Sequence, residues 1–188
     1  MFADNPALLI IDVQQGIDDP SWGRRNNPQM ETNLGRLLRG WRDQRAPIIH
    51  IRHLSREPQS TYRPGQPGCE FKAVVEPQSR EPVITKHTNS AFIGTELDML
   101  LRRKRLFTLV ICGVITNNSV EATARMAGNL GYATYVVADA TATFDKVDFN
   151  GELQPAEVVH AMSLANLQGE YATVLSTSAI LAQLRGAA

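Results

Sequence analysis

Short, almost wholly apolar runs alternate along this chain with stretches whose apolar residues recur every three or four positions. The first run is Ala7-Leu-Leu-Ile-Ile-Asp12, and Met30 to Gln44 follows with Leu34, Leu37, Leu38 and Trp41 at helical spacing. Pro47 to Ile51 is the second run, Val83 to Thr85 the third, and Glu96 to Arg103 reads as helix. Leu106 to Cys112 is a fourth run that Gly113 is expected to stop, with a helix from about Ser119 to Leu130 and a C-terminal glycine at Gly131. Thr134 to Ala138, a helix from Pro155 to Leu167, Ala172 to Leu175 and a last helix from about Thr177 complete the pattern. Strands apolar on both faces and separated by helices form βαβ units, so the sheet is parallel and covered on both sides. Right-handed crossovers then give an α/β fold: a three-layer, doubly wound domain of about six strands. At 188 residues the chain suits one domain, 1–188.

Composition narrows the partners. The 19 basic and 19 acidic residues cancel, which argues against a dedicated nucleic-acid binder. The basic cluster Arg102 to Arg105 lies between helix and strand, where it suits a solvated helix end. No apolar stretch approaches a membrane span, and no charged segment with a long apolar run marks a signal peptide, so the expected location is the cytoplasm. Two cysteines make neither a disulfide framework nor a zinc site. Cys112 reads as core, and Cys69, in a Gly/Pro-rich loop, as the more accessible thiol. Residues 52–82 hold five of the ten prolines, and within them the loop Arg56 to Lys72, which carries Tyr62 and Arg63, is long enough to suit a lid or a subunit contact. No Gly-x-Gly-x-x-Gly or Walker loop supports nucleotide binding.

Ligands of doubly wound sheets bind outside the carboxyl ends of the strands, which singles out Asp12, His53, Lys86, Ser119 and Asp139. A carboxylate ending a buried strand becomes a better base as burial raises its pKa, although it also suits a cap or a structural ion pair. A lysine beside it holds it ionised or stabilises charge developing on a substrate.

Three blocks, Ile10-Ile-Asp-Val-Gln14, Thr85-Lys-x-x-x-Ser-Ala-Phe92 and Gly113-Val-x-Thr-Asn-x-Ser-Val-x-x-Thr-Ala-Arg125, in this order and spacing, resemble the isochorismatase-like hydrolases, also called the cysteine hydrolase superfamily. The resemblance spans nearly the whole chain and includes Ala127-Gly-Asn-Leu-Gly-Tyr132 and Ala138-Asp-Ala-Thr141. It implies that Asp12 is the general base, that Lys86 pairs with it, and that Ser119 stands where most members carry a nucleophilic cysteine. It also implies a cis peptide at Val114–Ile115, with the N–H groups of Ile115 and Ser119 facing an oxyanion, and a homo-oligomer of two or more subunits.

Serine changes the chemistry. A thiol near pKa ~8.5 can be held as its anion by a helix N-terminus and a cation, whereas an alcohol needs a base as it attacks. Four roles for Ser119 stand open: nucleophile, water-orienting group, laboratory replacement of a cysteine, or simple helix cap. The nicotinamidase branch places an Asp-x-His metal motif after the second strand. Here Arg52 and His53 are present without the aspartate, so no metal and no organic cofactor is expected. Gln14, Trp22, His53, His87 and Phe92 are further candidates for the substrate pocket, while His50 and His160 read as structural. The leading expectation is a hydrolase of a small-molecule amide or related C–N bond. The alternatives are a nucleophile-free vinyl-ether hydrolase, as in true isochorismatases, and a non-catalytic small-molecule binder.

Overall fold

The computed structural model describes Phe2 and residues 5–186. In chain order the main elements are β1 (Ala7–Ile11), α1 (Met30–Asp43), β2 (Ile48–His53), β3 (Val83–Lys86), α2 (Leu97–Arg103), β4 (Thr108–Val114), α3 (Glu121–Asn129), β5 (Ala133–Ala142), β6 (Lys146–Val147), β7 (Leu153–Gln154), α4 (Ala156–Leu167), β8 (Thr173–Leu175) and α5 (Thr177–Arg185). Six strands form one parallel sheet in the order β3-β2-β1-β4-β5-β8. The direction of winding reverses between β1 and β4, which opens a crevice at their carboxyl ends.

The alternation within β1 explains the layers. Leu8 and Ile10 point to one face and join Leu34, Leu38, Trp41 of α1 and Ile180, Leu184 of α5. Ala7, Leu9 and Ile11 point to the other and join Leu97, Leu101 of α2, Ala124, Ala127 of α3 and Leu164, Leu167 of α4. The residues of β1 and β4 are buried throughout, so neither strand has a polar face to show in its sequence. Gly131, at φ +87°, follows α3 and lets Tyr132 N–H reach back to the Ala127 carbonyl, as expected of a C-terminal glycine.

Several expectations need correction. Gly113 does not end β4, which runs on through Val114. A Cβ at Gly113 would lie 2.2 Å from the Ile11 carbonyl oxygen, and φ is +113°, so glycine serves close strand approach here. The helix expected from Ser119 is preceded by a wide turn, Thr116–Val120, closed by an i→i+5 bond from Val120 N–H to the Ile115 carbonyl at 3.2 Å. β5 continues past Asp139 to Ala142. Asp139 therefore does not open on the crevice. Its carboxylate accepts from the Thr177 N–H and hydroxyl, both at 2.7 Å, and so fixes the start of α5. The β6–β7 hairpin was not anticipated. Cys69 is buried, its thiol donating to the Tyr62 and Arg63 carbonyls, because residues 55–72 fold back over the sheet end.

Candidate active site

Asp12 is the first residue beyond β1. Its backbone turns left-handed, at φ +53°, a region that aspartate tolerates better than most residues but that still carries strain. Asp12 N–H donates to the Ile51 carbonyl, its own carbonyl accepts from Gln14 N–H at 2.8 Å, and the chain thereby turns away from the sheet at the carboxyl end of β1. Lys86, the last residue of β3, is fully buried. Its Nζ donates to Asp12 Oδ2 at 2.6 Å, to Ser119 Oγ at 3.0 Å and to the Thr88 carbonyl at 3.1 Å, and lies 3.3 Å from His53 Nδ1. One ammonium thus joins two side chains delivered by β1 and by the turn after β4.

Ser119 rides on the i→i+5 turn. The Val114–Ile115 peptide that leads into this turn is cis. Thr116 anchors its base: Oγ1 meets His160 Nδ1 at 2.9 Å, and its carbonyl accepts from the Ser163 hydroxyl at 3.3 Å. Both partners come from α4, so His160 is structural, as expected, and what it supports is the turn that carries Ser119. The capping role left open for Ser119 does not hold. Val120 occupies the N-cap position of α3, and Ser119 Oγ is engaged with Lys86.

Burial raises the Asp12 pKa above its ordinary value, while the charge and hydrogen bond of Lys86, and the Ser119 hydroxyl, pull against that shift. Oδ2 is satisfied by Lys86, but Oδ1 is buried without a hydrogen-bond partner. An orphaned carboxylate oxygen costs free energy, so it marks a place where a donor is expected to arrive. Burial, reinforced by the neighbouring Lys86 charge, lowers the His53 pKa to about 4, so this imidazole is neutral at pH 7. Burial, with the Asp12 charge, holds the Tyr62 phenol well above its usual range.

A cavity of about 110 Å³ opens on Asp12 and Ser119. Its walls include Trp22, His53 and Tyr62, with Ser60, Asn89 and Asn118 at its polar positions and Ile115 beside Ser119. Trp22 is held by its indole N–H, which donates to the Gly16 carbonyl, and stacks on Phe144 at 5.5 Å. The other proposed pocket residues lie elsewhere. Gln14 is fully buried and spends its amide on the backbone of His53 and Cys69, tying β2 to the long loop. Phe92 packs against Tyr132 in the core under α2 and α3. His87 is exposed and pairs with the Leu54 carbonyl. Among the described residues no group of three His, Cys, Asp or Glu side chains converges to hold a metal ion.

Sequence reasoning gave no role to Ser60, Asn89 or Asn118. Asn89 and Asn118 fall at unspecified positions of the second and third blocks, and Ser60 lies in the long irregular loop.

Comparison with known proteins agrees with this architecture. The isochorismatase domain model matches residues 6–179. The isochorismatase family protein YrdC of Bacillus subtilis is 42% identical, over 95% of both chains. Streptothricin hydrolase of Streptomyces noursei is 34% identical over 74% of this chain and 50% of its own length. Maleamate amidohydrolase of Pseudomonas putida is 26% identical over 98% of this chain and 89% of its own. A crystal structure of an isochorismatase-family hydrolase from Chromobacterium violaceum superposes with a TM-score of 0.95 at 57% identity, covering 98% of this chain and 96% of that one. By domain match, by sequence relatives and by fold, this chain belongs to the isochorismatase family of hydrolases.

Proposed function

We propose that this chain hydrolyses an amide or related C–N bond of a small molecule, with Asp12 as general base, Lys86 as its electrostatic partner and Ser119 as nucleophile. The observation that carries the reading is the unpartnered Asp12 Oδ1, buried in the wall of a cavity that also exposes Ser119. Because Lys86 donates to Ser119 Oγ, the hydroxyl's own hydrogen is free to point toward Asp12. As Oγ adds to the substrate carbonyl carbon, that proton passes to Oδ1. The carbonyl oxygen, now negative, faces the N–H groups of Ile115 and Ser119. Protonated Asp12 then delivers its proton to the departing nitrogen, the C–N bond breaks, and an ester on Ser119 remains. Water, deprotonated in turn by Asp12, hydrolyses the ester and restores the serine. The raised Asp12 pKa favours both transfers. Two relatives named for hydrolysis of a streptothricin and of maleamate support the C–N assignment. No step uses a metal or an organic cofactor.

A second reading has its own support. Asp12 Oδ1 is buried without a hydrogen-bond partner, so it can exchange a proton with substrate directly, as a vinyl-ether hydrolysis without a nucleophile requires.

Turnover of a panel of small amides, ureides and vinyl ethers by the native chain, Asp12→Asn, Ser119→Ala and Ser119→Cys separates the two. Amide hydrolysis lost by about 10²–10⁴-fold in both Asp12→Asn and Ser119→Ala is the expected result. Equal activity of Ser and Ala forms, with loss only in Asp12→Asn, overturns the nucleophile assignment in favour of direct acid–base chemistry. Turnover unaffected by Asp12→Asn overturns both.

A further inference from the structure

The charge of the cavity wall restricts what can sit beside the reacting carbonyl. Of the ten described residues that line it, only Asp12 carries a charge at neutral pH. No arginine or lysine is among them. Lys86 lies behind the wall, fully buried, with its donors spent on Asp12, Ser119 and Thr88. His53 does line the cavity, but it is neutral, since burial and the adjacent ammonium hold its pKa near 4. A second anion brought here would leave water, meet the Asp12 carboxylate and find no cation to pair with. A second cation would have to compete for Asp12 with the Lys86 ammonium, already 2.6 Å from its carboxylate.

The cavity's size and remaining chemistry agree with this. A volume of about 110 Å³ lies somewhat below the ~150 Å³ of a cavity that holds benzene, which is room for a small acyl compound. The Asn89 and Asn118 amides and the Ser60 hydroxyl can each donate and accept, which suits a neutral polar group rather than an ion of one sign. The N–H groups at the start of the Ser119 turn do favour negative charge, but only at the position of the carbonyl oxygen itself.

We infer that the acyl portion of the substrate is uncharged: the site takes a neutral, small carboxamide or ureido compound and rejects one that carries a carboxylate near the reacting carbonyl. This deepens the amidase reading and rests on it. It also sets the chain apart from its relative named for maleamate, whose acyl portion bears a carboxylate. The same property acts on the product. Hydrolysis consumes one water per amide, releases ammonia and leaves a carboxylate, which this wall expels.

Succinamide and succinamate test the inference because they share one shape and differ by one charge. Initial rates of ammonia release by the native chain are expected to give a kcat/KM for succinamide at least about tenfold above that for succinamate. Since the first product is succinamate, ammonia is expected to reach one equivalent per succinamide and then to rise at least about tenfold more slowly. A kcat/KM for succinamate equal to or above that for succinamide overturns the inference, and leaves the amidase reading intact. If neither compound is hydrolysed, titration calorimetry of both against the native chain decides. Binding of succinamide alone upholds the neutral site while the amidase reading fails. Equal binding, or binding of neither, overturns the inference.

Discussion

At the scale of single residues, the two oxygens of Asp12 have separate fates. Oδ2 is fixed by Lys86, while Oδ1 stays uncommitted in a buried wall. That division leaves one carboxylate with an oxygen in an ion pair and an oxygen with room to accept a proton, as the proposed reaction requires. His53 completes the balance by staying neutral beside Lys86. In an unfolded chain its pKa would sit near 6.5, and in the fold it is lowered to about 4. The contribution of His53 to stability is therefore present above pH 6.5 and is lost as the pH falls toward 4. An imidazole titration followed by NMR is expected to place the His53 midpoint near 4, and a midpoint near 6.5 would contradict the buried, Lys86-facing position. Asp12, Lys86 and Ser119 were legible in the sequence because each stands at or just past the end of an apolar run and inside a recognisable block. The left-handed backbone at Asp12 was not, since it follows from bonds to Ile51 and Gln14 that form only in the sheet. Gln14 and Phe92 were misplaced for a related reason. Spacing brings a residue near the sheet end, but neighbours from distant loops decide which way it faces.

At the scale of elements, the strand β4 and the turn beyond it act as one device. β4 must lie close enough to β1 that no side chain fits at Gly113, and its end then delivers Ile115 and Ser119 opposite Asp12. Gly113→Ala would set a Cβ against backbone and force an L residue to φ +113°. A loss of about 3 kcal/mol or more of unfolding free energy, or failure to accumulate folded protein, is expected in denaturant titrations. A neutral effect would mean that β1 and β4 can separate without cost. The sequence placed a break at Gly113 because glycine usually punctuates; here close backbone approach uses the same residue. The i→i+5 turn was likewise illegible, because its shape depends on His160 and Ser163 of α4, more than 40 positions away. Two-residue strands such as β6 and β7 are too short to show any period. Long buried strands and amphipathic α1, by contrast, were visible from the order and spacing of apolar residues alone.

At the scale of the molecule, the two ends of the sheet carry different charge arrangements. Opposite the crevice, Glu81 accepts from Arg42 at 2.8 and 2.9 Å and pairs with His50 Nε2 at 2.8 Å, fastening the entry to β3 onto α1 and β2. Burial alone would raise the Glu81 pKa, but the bonds from Arg42, Gln78 N–H and His50 outweigh it and lower it from 4.5 to about 2. A depressed carboxylate pKa supplies stability above its unfolded value that is lost as the pH falls toward the folded one. Thermal melts are therefore expected to show Glu81→Gln below the native chain at pH 7, with the two curves converging between pH 4.5 and about 2. Parallel curves across that range would remove Glu81 from the acid response. The crevice end has a different logic. Asp12 and Lys86 are 74 positions apart and meet across β1, β2 and β3, whereas Ser119, 33 positions beyond Lys86, joins them only when β4 inserts beside β1. A nascent chain emerging from the ribosome thus holds the carboxylate–ammonium pair before it holds the serine. A fragment ending before residue 119 carries two of the three side chains, and the full constellation is complete only when the fourth strand closes on the first.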